Sequence, residues 1–294
     1  MAIYSIKDLE KLSGIKAHTI RIWERRYNLV KPRRTPTNIR YYSDDDLKRI
    51  LNISILNQNG FKISKIAYLD DDQLRDRVID LCLDPKNTNV QIESLLVSML
   101  ELDEIKFTAV LTHAIIKQGF ETVVESILFP FLNRIGILWQ AGTITPSQEH
   151  FISNLIRQKL IVAIDNEMQN ILAQRDKRIV FFLPENEWHE IGLLFYSLLA
   201  RKESMDVIYL GASVPLYDLK VIHQIRPTQA FFLSVVAGRE KEELDQLLIR
   251  LSQEFPGIPV FINGLQVQDN PVLLPPLFHV VATAHEFKTL IREL

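Results

Sequence analysis

Ser5-Ile-Lys-Asp-Leu-Glu-Lys-Leu-Ser-Gly14-Ile-Lys-Ala-His-Thr-Ile-Arg-Ile-Trp-Glu-Arg-Arg-Tyr27 decides how the front of this chain folds. Ser5 followed by Asp8 is a capping box that opens a short helix over Ile6 to Leu12, and Gly14 supplies the turn before a second helix from about Ala17 to Tyr27. Leu9, Leu12, Ile15, Ile20 and Trp23 form a small core, which leaves His18, Thr19, Arg21, Arg25 and Arg26 facing outward. Further on, Val30 and Ile39 flank a Pro/Arg/Thr/Asn-rich hairpin, and Ser43 with Asp46 caps a helix carrying Leu47, Ile50 and Leu51. Helix, turn, helix, wing, helix is the order of a winged helix-turn-helix. Its second helix is expected in the major groove, with Arg33, Arg34 and Arg40 at the backbone or minor groove.

Charge agrees with that geometry. Lys16 to Arg40 holds eight basic residues against one acid, Glu24, a local net of +7 in a chain whose formal total is -2. Residues 1–50 carry +6 and the remainder -8, so the positive charge is placed at one end, where it attracts phosphate oxygens, and the rest is no general polyanion binder. At 294 residues the chain is long enough for two or three domains. Cys82 is the only cysteine, which excludes an internal disulfide and a cysteine-rich zinc site and suits a reducing cytosol. Met1-Ala-Ile-Tyr-Ser5 lacks a basic patch followed by an apolar run, and no stretch reaches the roughly eighteen consecutive apolar residues of a membrane span. The expectation is a cytoplasmic protein with no membrane partner.

Three motifs carry a resemblance: Tyr4-Ser-Ile-Lys-Asp-Leu9, Thr19-Ile-Arg-Ile-Trp-Glu-Arg-Arg-Tyr27 and Arg40-Tyr-Tyr-Ser43. They are similar to the DNA-binding domain of MerR-type transcriptional regulators over about residues 1–70. The resemblance implies operator binding as a dimer or higher oligomer, with Thr19, Arg21, Arg25, Tyr27, Arg40 and Tyr42 at the DNA and Trp23 in the core. Arg26, Arg33 and Arg34 join them on charge and position. The wing reads Arg-Thr-Pro-Thr-Asn-Ile-Arg40 where a Gly is common before the Arg, and Asn38 is a residue that also tolerates positive φ.

After Asp70-Asp-Asp72 the pattern stays helical through Leu83, and Asp84-Pro-Lys-Asn-Thr-Asn89 reads as a linker. From Val90 to about Ala173 the apolar spacing is three and four, broken by Asp103, Gly119 and Ala141-Gly-Thr-Ile-Thr-Pro146 into the four helices of a bundle. Trp139 is followed, across nine residues, by Glu149-His150, so an aromatic ends one helix while an acid and an imidazole open the next. A core Trp with a dipole-favoured Glu is the plain alternative.

Arg178-Ile-Val-Phe-Phe-Leu183 reads as a buried strand, and similar runs recur at 206–210, 230–234, 259–262 and 278–282. Helical segments lie between them, so a Rossmann-like doubly wound parallel sheet of five strands follows, with ligands at the carboxyl ends of its strands. No Gly-x-Gly-x-x-Gly opens its first helix, which argues against a dinucleotide site. Glu187-Trp-His189-Glu-Ile-Gly192 stands there instead. It puts an imidazole on a loop at a strand end with a carboxylate near enough to fix its tautomer. A satisfied polar loop residue is the alternative.

That Glu-x-His-x-x-Gly pattern resembles the cobalamin-binding fingerprint of the methionine synthase and methylmalonyl mutase type, in which the His is the lower axial ligand of cobalt. Such domains follow it with a Ser at the end of the third strand, here Ser234, and a Gly pair after the fourth, here Asn263-Gly264. Over nearly the whole chain, the order winged helix, bundle, cobalamin domain is similar to the light-responsive, cobalamin-dependent repressors of carotenoid synthesis. These carry Trp, nine residues, then Glu-His, as Trp139, Glu149 and His150 do, where the Trp and the acid meet the adenosyl group. In the photoreceptors a second His directly after the Trp takes the cobalt after light has expelled that group, and here that position is Gln140.

The resemblance therefore implies a ligand-responsive transcriptional regulator, not an enzyme. It implies a DNA-binding domain at 1–75, a bundle at 88–174 and a sheet domain at 177–294, with cobalamin, as adenosylcobalamin, held between the latter two. Trp139, Glu149, His150, Glu187, His189, Gly192, Ser234 and Gly264 are the cofactor residues, and His189 is the cobalt ligand. Two other readings stay open: the same scaffold acting without cobalamin through protein partners, and a corrinoid carrier in methyl transfer that has acquired a basic arm.

Overall fold

The computed structural model describes residues 3–82, 84, 87–168, 177–269 and 274–294. The chain divides into two compact units, 1–152 and 153–294.

In the first unit, α1 (Ile6–Ser13) starts at the expected capping box and ends at Gly14, whose φ of 70° closes the turn. The helix α2 (Ala17–Tyr27) ends at Asn28, also left-handed. The short wing strands β1 (Arg33–Arg34) and β2 (Arg40–Tyr41) pair antiparallel, and Asn38 sits at φ 68°, the conformation a Gly would supply there. Next comes α3 (Asp44–Gln58), opened by the Ser43/Asp46 capping box. Leu9, Leu12, Ile20, Trp23, Leu47, Ile50 and Leu51 are buried, as the apolar spacing requires, while Ile15 is half-buried. Two helices follow, α4 (Ile63–Ile66) and α5 (Asp71–Cys82).

The next helix, α6 (Thr88–Glu101), begins inside the expected linker, whose Pro85 and Lys86 lie outside the described residues. Asp103 caps α7 (Glu104–Gln118) by accepting from the Lys106 amide, and Gly119 at φ 85° ends it. The third helix runs from Phe120 to Gln140 as α8 (Phe120–Val123), a π-helical turn (Val124–Leu128) and α9 (Phe129–Gln140). Pro130 accounts for the wide turn: it has no N–H to give Ser126, and its ring crowds that carbonyl, so Phe129 donates five residues back to Val124. At 21 residues this rod is long and apolar enough on average to cross a membrane, although it has no continuous apolar run. Its buried side packs against α6. Thr145 and Gln148 form a further capping box at the start of α10 (Pro146–Met168), which runs on from the first unit into the second. The expected extension of this helix over 169–174 lies outside the described residues.

The second unit alternates β3 (Arg178–Pro184), α11 (Glu190–Lys202), β4 (Asp206–Val214), α12 (Leu216–Ile225), β5 (Ala230–Ser234), α13 (Lys241–Glu254), β6 (Val260–Asn263), α14 (Leu265–Asp269), β7 (Phe278–Val280) and α15 (Ala284–Arg292). All five strands are parallel, in the order β4-β3-β5-β6-β7. Side-chain alternation splits the core between the two faces. Phe232 stacks on Phe181 and Tyr196 with Phe287 edge-on to them on one side, while Val180, Phe182, Phe231 and Leu233 meet Leu219, Leu244 and Leu248 on the other. In this order the winding reverses between β3 and β5, and a doubly wound sheet opens its ligand crevice there.

Candidate functional site

The basic head comes first. Arg21, Arg25 and Arg26 are exposed on one face of α2, Arg33 and Arg34 are exposed on the wing, and Thr19 and Tyr27 are half-buried. The Arg26 guanidinium lies 5.4 Å from the centre of the Tyr27 ring. Arg34 donates to Asn38 Oδ1, which braces the wing turn. Arg40 is half-buried, 3.5 Å from Glu24. Tyr42 departs from the DNA-facing place that the resemblance implied: it is fully buried and its hydroxyl donates to Glu24. Burial, then the Glu24 hydrogen bond, raises that hydroxyl well above the ordinary tyrosine range, so it stays a donor. Tyr42 thus ties the base of the wing to α2 through Glu24. Sequence reading passed over Ile22, an apolar side chain 48% exposed among the α2 arginines, and the adjacent charges masked it. An exposed apolar group on a recognition helix can meet a thymine methyl.

At the end of α9, Trp139 is 53% exposed, Gln140 is exposed, and at the start of α10 Glu149 and His150 lie side by side with Oε2 and Nε2 3.8 Å apart.

The second site lies where the sheet reverses. Glu187, in the loop after β3, is completely buried and accepts from five donors. Oε1 takes the amides of Trp188 and His189 and the His189 ring Nδ1 at 2.5 Å, and Oε2 takes the amides of Val236 and Ala237, both at 2.8 Å. Burial alone would raise this carboxyl, but the hydrogen bonds from the His189 ring and from the Ala237, Val236 and His189 amides outweigh it and hold the group at about 2. One carboxylate therefore locks the loop after β3 to the loop after β5. With Nδ1 donating, His189 presents Nε2 as its lone-pair nitrogen on an exposed ring.

Three residues after that imidazole, Gly192 stands beside Ser234 and Asn263. A methyl placed on it would sit 3.6 Å from both Ser234 Oγ and Asn263 Oδ1. Ser234 is fully buried at the end of β5, and its hydroxyl finds no hydrogen-bond partner among the described residues. Asn263, standing where the resemblance has a Gly, donates to the Val281 carbonyl at 2.6 Å and the Tyr196 hydroxyl at 3.4 Å, so its amide nitrogen serves the fold. Gly264 has φ 120°, and a Cβ there would fall 2.1 Å from the Val235 carbonyl oxygen. Glu190, next to His189, accepts from Arg157 Nε at 3.0 Å and from the Tyr209 hydroxyl at 3.1 Å. Neither partner was singled out in the sequence, because both act from distant elements. Among the described residues no three His, Cys, Asp or Glu side chains converge on a metal. One oriented imidazole at the end of β3 and an orphaned buried hydroxyl at the end of β5 fit a corrinoid, which would bring its own nitrogen donors and ask the protein for one more.

A glutamine at 187 could not serve all five donors, since its amide nitrogen would face N–H groups on one side or the other. Glu187→Gln is expected to lose about 3 kcal/mol of stability at pH 7 in denaturant unfolding. Because the folded carboxyl sits below its ordinary 4.5, its contribution exists above that pH and is lost as pH falls towards 2, so the gap between wild type and variant closes over the same range. A gap independent of pH would mean that the charge does not lock the loops.

Family models match two stretches: "MerR HTH family regulatory protein" over residues 4–72 and "B12 binding domain" over 91–163. The HTH-type transcriptional repressor CarH of Myxococcus xanthus is 30% identical over 269 residues, 89% of this chain and 88% of CarH. CarA, a second HTH-type transcriptional repressor of that organism, is 26% identical over 90% of this chain and 88% of its own length. Among solved structures, the Methanosarcina barkeri monomethylamine corrinoid protein superposes with a TM-score of 0.51 at 13% identity, covering 73% of this chain and 98% of that one, a likeness of fold.

Proposed function

The chain belongs to the family of MerR-type helix-turn-helix transcriptional repressors with a B12-binding domain that includes CarH, and from that premise we propose that it senses adenosylcobalamin through His189. It is a DNA-binding transcriptional regulator under cobalamin control. The observation that carries the assignment to His189 is the buried Glu187 carboxylate fixing Nδ1, which leaves the lone pair on Nε2 of a ring in the loop after β3, where the winding of the sheet reverses. Glu187 orients the imidazole, Ser234 offers its unpartnered hydroxyl to the ligand with the Cβ-less Gly192 beside it, and Gly264 lets the chain after β6 pass close against the Val235 backbone after β5. When bound, cobalamin would supply a Lewis-acidic cobalt, and His189 would hold it through Nε2. Trp139, Glu149 and His150 are assigned to the adenosyl side on their spacing, and Gln140 offers no imidazole to replace a departing adenosyl group.

At the other end, Arg21, Arg25 and Arg26 are assigned to the major groove with Thr19 and Tyr27 beside them, and Arg33, Arg34 and Arg40 to the flanking backbone. Tyr42 is proposed as a support for Arg40 and Glu24. We assign the working form to a cytoplasmic dimer or tetramer without catalytic activity, built from domains at 1–75, 88–174 and 177–294. A ligand changes DNA affinity only by its differential affinity for the assembly states it can bind.

Purified protein given adenosylcobalamin in darkness is expected to take up the corrinoid with a visible spectrum altered by nitrogen ligation, and to change in molecular size on binding. Illumination followed by a second size measurement tests whether the change reverses without an imidazole at position 140. Absence of uptake would overturn the assignment to His189. For the head, Arg25→Ala should cost about 1–3 kcal/mol of affinity for operator DNA if it reads a base edge. An equal loss on random DNA would assign it to phosphate.

A further inference from the structure

Arg134 lies in α9, and its guanidinium reaches two other helices. One nitrogen pairs with Glu93 of α6, and the other donates at 2.6 Å to the backbone carbonyl of Leu12 in α1, 122 residues away in sequence. Neither charged partner is on the surface: the Arg134 side chain is 26% exposed and that of Glu93 13%. Leu12 belongs to the last turn of α1, where carbonyls have no partner within their own helix and a cation is favoured by the helix dipole. The bond therefore caps the first helix of the DNA-binding head with a group from the bundle.

Trp139 stands in the last turn of the same rod, five residues further on, about 7.5 Å along the axis and roughly 140° around it. Arg134 points into the head and α6 while Trp139 stands exposed, so a slide or rotation of the rod is felt at both. A second tie between head and bundle, Lys48 to Glu101 at 3.7 Å, is longer and more exposed, and salt screens it. Pro130 lies about one helical turn before Arg134 and the π turn precedes it, a place where a helix can change register.

We propose that Arg134 is a positioning residue for DNA recognition, holding the carbonyl end of α1 to the helix that carries Trp139 so that the state of the ligand end is felt by the DNA-reading helix pair. The route from ligand to head rests on the cobalamin reading above; the bond between head and bundle does not.

Arg134→Ala alone would leave the buried Glu93 carboxylate uncompensated and can unfold the unit for that reason. The test uses the full-length chain with Arg134→Met combined with Glu93→Gln, against Glu93→Gln alone, which keeps the bond to Leu12. Amide hydrogen exchange and operator affinity, with and without adenosylcobalamin, are measured on both. In the double variant, exchange at the turn between α1 and α2 should rise about tenfold while α7 keeps wild-type rates. The corrinoid spectrum should not change, and the ratio of operator affinities with and without ligand should shrink about fivefold or more towards one. Glu93→Gln alone should behave as wild type on all counts. Unchanged exchange overturns the tie between head and bundle, and faster exchange with an unchanged affinity ratio overturns the positioning role. Were the wild type to take up no cobalamin, the cobalamin reading would fall, and the exchange rates would still decide whether Arg134 holds the head.

Discussion

Replacing His189 with alanine is expected to lower cobalamin affinity by about 100-fold or more and to erase the nitrogen-ligated visible spectrum, while operator binding without ligand stays at the wild-type level. The magnitude follows from removing the ligand atom itself, since losing only the partner that orients a metal-bound imidazole costs roughly 10- to 100-fold. The fold should hold. The His189 ring is exposed, and Glu187 keeps its four backbone donors when the ring is gone. Thermal unfolding of the variant should therefore lie within about 1 kcal/mol of wild type. Spectrophotometric titration with adenosylcobalamin, alongside an operator-binding assay on the unliganded protein, checks both halves. A variant that still gives the wild-type spectrum would move the cobalt ligand elsewhere.

Gly264→Ala should be the most damaging single methyl in the chain. Its Cβ would land 2.1 Å from the oxygen, 2.6 Å from the carbonyl carbon and 2.8 Å from the nitrogen of Val235, all backbone atoms that cannot swing aside. The φ of 120° adds strain for any residue with a Cβ. Strain and overpacking together come to about 3–5 kcal/mol, read as a fall in the unfolding midpoint of about 10 °C or more. The damage would also travel. Val235 donates to the Asn263 carbonyl at 2.8 Å, and the next two amides in the chain are the Val236 and Ala237 donors that hold Glu187. Displacing Val235 therefore loosens the carboxylate that orients His189, so weaker corrinoid binding should accompany the lost stability. Gly238→Ala is the control, because nothing lies within 4 Å of its added methyl and its backbone is not left-handed. If both variants unfold alike, the contact with Val235 is not what demands glycine at 264.

Local rules were legible in the sequence and distant pairings were not. The capping boxes at Ser5 and Ser43, the Asp103 cap and the breaks at Gly14 and Gly119 each depend on a few neighbouring residues, and they fall where the spacing puts them. The five strands were visible as apolar runs, but the order β4-β3-β5-β6-β7 comes from hydrogen bonds between strands far apart in sequence. Helix α14 was missed because five residues are too few to show a period. At the site, the pairing of Glu187 with His189 could be read from a two-residue spacing. The Val236 and Ala237 donors could not, since they are backbone groups that leave no mark on residue identity. Tyr42 shows the opposite limit: the resemblance puts it at the DNA, and only the fold reveals that its ring is buried with the hydroxyl on Glu24. Arg134 carries no mark in the sequence, because its backbone partner Leu12 lies 122 residues away.

Pro130 has an influence larger than its own contacts. A single extra residue in one wide turn offsets the phase of everything after it by about 100° relative to an unbroken α-helix. The compass bearings of Arg134 and Trp139 are thus both set upstream, by one missing amide hydrogen. Healing that turn would swing guanidinium and indole round the axis together, pulling the one from its carbonyl and re-aiming the other.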